Sequence, residues 1–207
     1  GIESTALGYQ SLYSNTTAHY NTAVGHYALR ANTTGVRNTA VGKDSLKANT
    51  TGGENTAVGN HSLEANTTGV HNTAIGFSSL ASNTTGQQNN AVGQNALLSN
   101  TTGNYNVALG KNAIAANTTG SNCIGIGYHA LVSQTTGDNN TAVGFTAGHD
   151  MSSGYNNVFM GTQAGYATTT GYANVAVGVD ALKASTTGIF LTAVGKEALT
   201  DNTTANY

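Results

Sequence analysis

Residues Asn21–Arg37 read NTAVGHYALRANTTGVR, Asn38–Glu54 read NTAVGKDSLKANTTGGE, and Asn55–His71 read NTAVGNHSLEANTTGVH. Extended in both directions, this pattern divides residues 4–207 into twelve consecutive 17-residue units without an insertion or deletion. A fixed period of this length is the signature of a solenoid, in which each unit forms one turn of chain stacked on the last. Within the unit, position 4 is always aliphatic or Met, position 5 is always Gly, and position 8 is always Ala or Ser. Position 9 is Leu or Ile in ten copies, positions 13 and 14 are Thr or Ser throughout, and position 15 is Gly in ten copies.

The run at positions 1–4 alternates β-branched residues, as in Asn38-Thr39-Ala40-Val41, which is the period of a strand. Its length suits a strand and not a helix. The Gly at position 5 predicts a corner that needs positive φ or a close backbone approach. Positions 8–9 predict a second short strand, and Asn-Thr-Thr-Gly turns the chain back, with Asn and Thr bonding local backbone. Stacking also predicts a ladder of Asn side chains. The expected fold is all-β: a parallel β-solenoid of twelve coils, flattened into two facing sheets. At ~4.8 Å per coil it would be about 57 Å long. Val or Ile at position 4 and Leu at position 9 are expected to form the core. Ala at position 3, present in ten copies, would then lie outside as a smooth column that favours lateral association.

One repeat domain, residues 4–207, accounts for the chain; residues 140–173 diverge most, and Gly1–Glu3 precede the first unit. In the divergent stretch Leu gives way to Gly148 and Gly165 at position 9. Met is a flexible filler of irregular space, so Met160 is expected to occupy the vacated volume. Both ends keep unit register and residue 1 is Gly, so the chain is expected to be an uncapped interior stretch of a longer protein. The alternative is that its terminal residues fold over the open coils.

Composition excludes several classes. Charged residues are 8% of the chain and the net charge is −2, which leaves no basic footprint for nucleic acid. No apolar run approaches the ~20 residues that span a bilayer. Strict periodicity argues against disorder despite low hydrophobicity. Cys123 is the one cysteine, so no intrachain disulfide can form.

The run Asn-Thr-Ala-Val-Gly-x-x-Ala-Leu resembles the head repeats of YadA-like trimeric autotransporter adhesins, and Asn-Thr-Ala-Val-Gly…Asn-Thr-Thr-Gly resembles segments of bacteriophage tail fibres. Gly161-Thr162-Gln163-Ala164-Gly165-Tyr166 looks particularly like the fibre variety. The resemblance spans all twelve units, although the adhesin unit is shorter. It implies a left-handed β-roll, assembly as a homotrimer, an extracellular place on a cell surface or virion, and contact with a glycan or protein receptor.

No catalytic constellation is visible. Asp44 and Glu197 share position 7 but lie nine coils apart, about 43 Å at ~4.8 Å per coil. No Gly-rich turn leads into a helix that could cradle phosphate. The six His residues fall in variable columns without His-x-His or His-x-x-x-His spacing, so neither a metal nor another cofactor is expected. The Asn-Thr-Thr runs also read as glycosylation acceptors, although laddered Asn would be inaccessible. Thirteen of the fourteen aromatic residues lie at variable positions. Rings with an apolar face and a polar tip suit surface contact, which makes Tyr9, Tyr13, Tyr27, Phe77, Tyr128, Phe145, Tyr155, Tyr166 and Tyr172 the candidate contact residues; packing between chains is the other role such rings would serve. The expected function is therefore that of an adhesive fibre segment and not of an enzyme. Ice binding by ranked Thr is the alternative, but adjacent Thr at positions 13 and 14 would offer one outward hydroxyl per coil.

Overall fold

A computed structural model describes residues 3–204. Twelve three-residue strands form one parallel sheet in sequence order. They are β1 (Thr5–Leu7), β2 (Thr22–Val24), β3 (Thr39–Val41), β4 (Thr56–Val58), β5 (Thr73–Ile75), β6 (Asn90–Val92), β7 (Val107–Leu109), β8 (Ile124–Ile126), β9 (Thr141–Val143), β10 (Val158–Met160), β11 (Val175–Val177) and β12 (Thr192–Val194). Each residue pairs with its equivalent one unit on, as Ala40 with Ala57 and Ala57 with Ala74. The chain is a parallel β-solenoid with one turn per 17-residue unit.

The second strand expected at positions 8–9 is absent among the described residues. The Leu of position 9 instead adopts a left-handed backbone, with φ of 48° at Leu46 and 49° at Leu63. Positions 7 and 17 are left-handed as well, as at Asp44 (φ 57°) and Glu54 (φ 59°). Hydrogen bonding between coils continues here without extended backbone: Leu46 N–H donates to Ser62 O and Leu63 N–H to Ser79 O, both at 3.0 Å. A left-handed Leu is disfavoured by about 1–2 kcal/mol, and full burial of its side chain offsets this. Gly148 and Gly165 take the same conformation, φ 61°, without a Cβ to strain.

The Gly at position 5 is required twice over. Gly42 has φ 132°, and a Cβ on it would meet the Gly59 carbonyl oxygen at 2.5 Å. Coils stacked this closely leave no room for any side chain at that corner.

The core inverts the expected alternation of the strand. Ala40, Ala57 and Ala74 are fully buried, whereas Val41, Val58 and Ile75 point outward and are 36–40% exposed. The cause is space: the Leu of position 9 fills the interior behind the strand, so only a methyl group fits at position 3. Met160 is likewise outward and 44% exposed. The volume left by the two missing leucines is filled by Phe159, which is fully buried and against whose ring a Cβ on Gly165 would lie at 2.6 Å.

Two ladders of buried Asn complete the interior. At position 12, Asn66 Nδ2 donates to Asn49 Oδ1 (2.8 Å) and to Gly69 O (3.1 Å). At position 1, Asn55 Nδ2 donates to Gly69 O at 2.9 Å, and its Oδ1 accepts the Asn72 backbone N–H at 3.0 Å. Buried amides are tolerated only when so satisfied. Asn32, Asn49, Asn66, Asn83, Asn100 and Asn117 have no exposure, so their sequons are closed to a glycan in the folded chain. The expectation about terminal caps falls on residues 1–2 and 205–207, outside the described residues.

Candidate interaction surfaces

Positions 2 and 4 of every strand share the outward face of the sheet, because alternate residues of a strand point the same way. The face therefore carries two columns along the solenoid: Thr in most coils at position 2, and Val, Ile, Leu or Met at position 4. No coil places a charge in either column. Four coils are aliphatic in both: Val107 and Leu109, Ile124 and Ile126, Val158 and Met160, Val175 and Val177. Sequence reasoning missed this face because it placed the β-branched residues inside.

The candidate aromatic residues fall into separate groups. Tyr9, Tyr13, Phe77, Tyr128, Phe145 and Tyr155 are exposed, and Tyr27, Tyr166 and Tyr172 are half-buried. Tyr9 stacks on His26 and meets Tyr27 at 5.6 Å; Tyr27 also lies beneath the Arg30 guanidinium at 5.0 Å. Phe77 meets the edge of His61. Tyr128 stacks on Phe145 at 5.4 Å, and His129 and His149 continue the array to Tyr166. Tyr155 and Tyr172 stack at 4.7 Å. Rings one unit apart thus face each other up the solenoid, and their edges meet solvent. His26, His129 and His149 belong to these arrays although sequence reasoning gave them no role there; the signal was the 17-residue offset of His26 from Tyr9 and of His149 from Tyr166, whereas His129 joins through its neighbour Tyr128 and through His149.

Coil stacking also gathers charge. Asp44 is buried, 3.2 Å from Lys47 Nζ through Oδ1 and 3.9 Å from His61 Nδ1 through Oδ2. His61 Nδ1 lies 2.8 Å from Glu64, and Lys47 reaches Glu64 at 3.5 Å. Burial pushes the Asp44 carboxyl up, but the Lys47 ammonium 3.2 Å away and the charges of Lys43 and His61 outweigh it and hold the carboxyl below its usual range. The ion pair with Asp44 raises Lys47 in turn. Asp44, His61 and Glu64 set ligand-type atoms within 4.8 Å of one another, so they are the residues that could hold a metal. The Lys47 ammonium already bridges both carboxylates, and with Lys43 it balances their charge.

Arg30, Lys47 and Glu64 also flank a groove of about 640 Å³ floored by Ala31, Ala48 and Ala65. Burial pushes the Cys123 thiol up, which leaves it a poor nucleophile. His129 is held below its ordinary pKa by burial and by the neighbouring charges of His149 and Lys111; Asn112 Nδ2 lies 2.9 Å from its Nε2.

No protein-family model matches the chain, and no curated protein matches it.

Proposed function

We propose that this chain is a structural and adhesive extracellular fibre segment, of the adhesin-head or phage tail-fibre kind, that associates as a homotrimer and contacts a glycan or protein receptor. The observation that carries this reading is the division of labour between columns. Positions 1, 3, 5, 9, 12 and 15 point inward or sit at closed corners and scarcely vary. Positions 6, 7, 10, 16 and 17 carry every ring but Phe159, the His residues and nearly all the charge. A scaffold that holds its cross-section while its outer columns change residue by residue suits display along a rigid rod, as repeat proteins do. Binding of the labelled chain to a glycan array and a panel of cells tests it. We expect saturable binding that falls at least tenfold in the double variant Tyr128→Ala, Phe145→Ala with the circular dichroism unchanged; uniform absence of binding across both panels would remove the adhesive part of the reading.

Ice binding has one observation in its favour: Thr22, Thr39, Thr56 and Thr73 rank their side chains on one open face. Thermal hysteresis of the purified chain distinguishes it, and the fibre reading expects none.

A further inference from the structure

We propose that the outward face of the sheet is the seam between copies of this chain, and that the copies meet parallel and in register. The inference rests on the fibre reading for its homo-oligomer and adds the face, the direction and the alignment.

Twelve strands at ~4.8 Å, each three residues of ~3.3 Å long, give the face an area of about 57 by 10 Å, or ~570 Å². Position 4 is apolar in every coil and position 2 in four, so the apolar part is roughly 380 Å², within the several hundred Å² of the contiguous apolar patches that mark interaction sites on soluble proteins. Two such faces together bury about 1,100 Å², which clears the ~1,000 Å² expected of a specific interface. The face bears no charge in any of its positions, so no carboxylate or ammonium needs to be desolvated when it is covered. Its β-branched side chains have few rotamers to lose. Val41, Val58, Ile75, Val92, Leu109 and Met160 are each 36–44% exposed, an unusual display for a solenoid whose own core has room only for Ala behind the strand.

Direction follows from where the wholly aliphatic coils lie. They are the seventh, eighth, tenth and eleventh, carrying β7, β8, β10 and β11. In a parallel, in-register pair each meets its own equivalent, and all twelve coils are covered. In a full-length antiparallel pair they would meet the sixth, fifth, third and second coils, whose position 2 residues are Asn90, Thr73, Thr39 and Thr22. An antiparallel pair that matches aliphatic coils must centre on β9. It overlaps in seven coils and leaves the first five open, and about 330 Å² per copy then falls short of a specific interface. Only the parallel arrangement keeps both the area and the match.

Two measurements test this on the intact chain. Light scattering should give a multiple of the monomer mass at micromolar concentration. Ile124→Glu with Val175→Glu should weaken association at least a hundredfold with the circular dichroism unchanged, because both side chains lie on the face and not in the core. For direction, Thr22→Cys and Val24→Cys chains are co-expressed in a Cys123→Ser background and oxidised. A covalent dimer joining the two is expected, since both antiparallel arrangements carry Thr22 away from the partner's Val24. A monomeric mass, an oligomer indifferent to the two glutamates, or failure to crosslink where Thr22→Cys with Val175→Cys succeeds would each overturn the proposal. A monomer that shows thermal hysteresis would assign the face to ice. The glycan and cell panels are separate: a seam without receptor binding removes adhesion and leaves the seam, whereas receptor binding by a monomer does the reverse.

Discussion

The coils from Asn21 to Tyr105 repeat one packing solution, whereas those from Asn106 to Ala173 reach the same cross-section with different side chains. In the first region Leu at position 9 always faces Ala at position 3. In the second, Ile114 replaces Leu and the residue beside it, Gly125, loses its methyl group: a Cβ there would stand 2.5 Å from Ile114 Cγ1. Two coils further on, both leucines become Gly148 and Gly165, and Ala becomes Phe159. The Asn ladders change in the same concerted way. Cys123 and Gln134 replace Asn at positions 1 and 12, and Gln134 Nε2 lies 3.1 Å from Cys123 Sγ while its Oε1 accepts from Asn140 Nδ2 at 3.1 Å. The difference teaches that the packing unit is the contact between neighbouring coils. A side chain can change if the coil above or below gives back the volume or the hydrogen bond.

The largest effect that could break this comparison is at Phe159. Phe159→Ala restores the residue found in the regular coils but leaves the space of two missing leucines empty, and should destabilise by about 3–5 kcal/mol. Adding Gly148→Leu and Gly165→Leu should recover most of it. Met160→Ala next door should change single-chain stability by under about 0.5 kcal/mol, since its side chain is outside. Denaturant melts of the set decide the matter; a benign Phe159→Ala would show that the coils do not share volume.

In the regular region the same logic applies to hydrogen bonds. Asn83 donates to Asn66 Oδ1 (2.9 Å) and Gly86 O (3.0 Å) and accepts from Asn100 Nδ2 (2.9 Å). Asn83→Ala orphans buried groups at about 1–3 kcal/mol each. The loss should appear in hydrogen exchange as weakened protection of the adjacent coils on both sides. Protection lost in one coil alone would make the ladder decorative.

Gly125→Ala should cost about 1–3 kcal/mol by overpacking against Ile114. Ile114→Leu, the residue of the regular coils, should relieve it. The thermal midpoints of the two single variants and the double variant form a cycle, and simple additivity would dismiss the pairing.

How much of this was legible follows from which interactions repeat. Period, coil number, strand position, parallel register and the closed corner at Gly42 are imposed by the chain on itself twelve times, so they stand out in one sequence. The orientation of the strand did not. Hydrophobicity alone puts Val41 inside and Ala40 outside, and only the left-handed backbone at Leu46, which swings that side chain behind the strand, reverses the choice. Met160 was given a role that belongs to Phe159 for the same reason. Of the candidate contact rings, Tyr9, Tyr13, Phe77, Tyr128, Phe145 and Tyr155 are exposed, whereas Tyr27, Tyr166 and Tyr172 are half-buried, because their stacking on neighbouring rings and on His26, His129 and His149 depends on coil geometry.

The smallest predicted effect sharpens the comparison at the surface. His129 is held below its ordinary pKa, so the fold favours its neutral form. Its contribution is complete above the ordinary value of 6.5 and is lost as pH falls through the lowered value. The groups facing it are His149, Lys111, Asn112 and Tyr128. Thermal midpoints at pH 5 and pH 8 should therefore differ more for the wild type than for His129→Asn, and equal differences would remove His129 from the account.

The Gly stack at position 5 has a consequence for how such a molecule can change in size. Each corner closes on the carbonyl of the next at a separation that admits no Cβ, and both Asn ladders must stay aligned at the same time. Gaining or losing a single residue in a coil would put the glycine, the amide and the leucine out of step with every coil beyond it. Gaining or losing seventeen disturbs nothing. Length in this architecture is therefore counted in whole steps of ~4.8 Å, and unequal recombination between repeats in the gene would act on it as a ratchet with one tooth per coil.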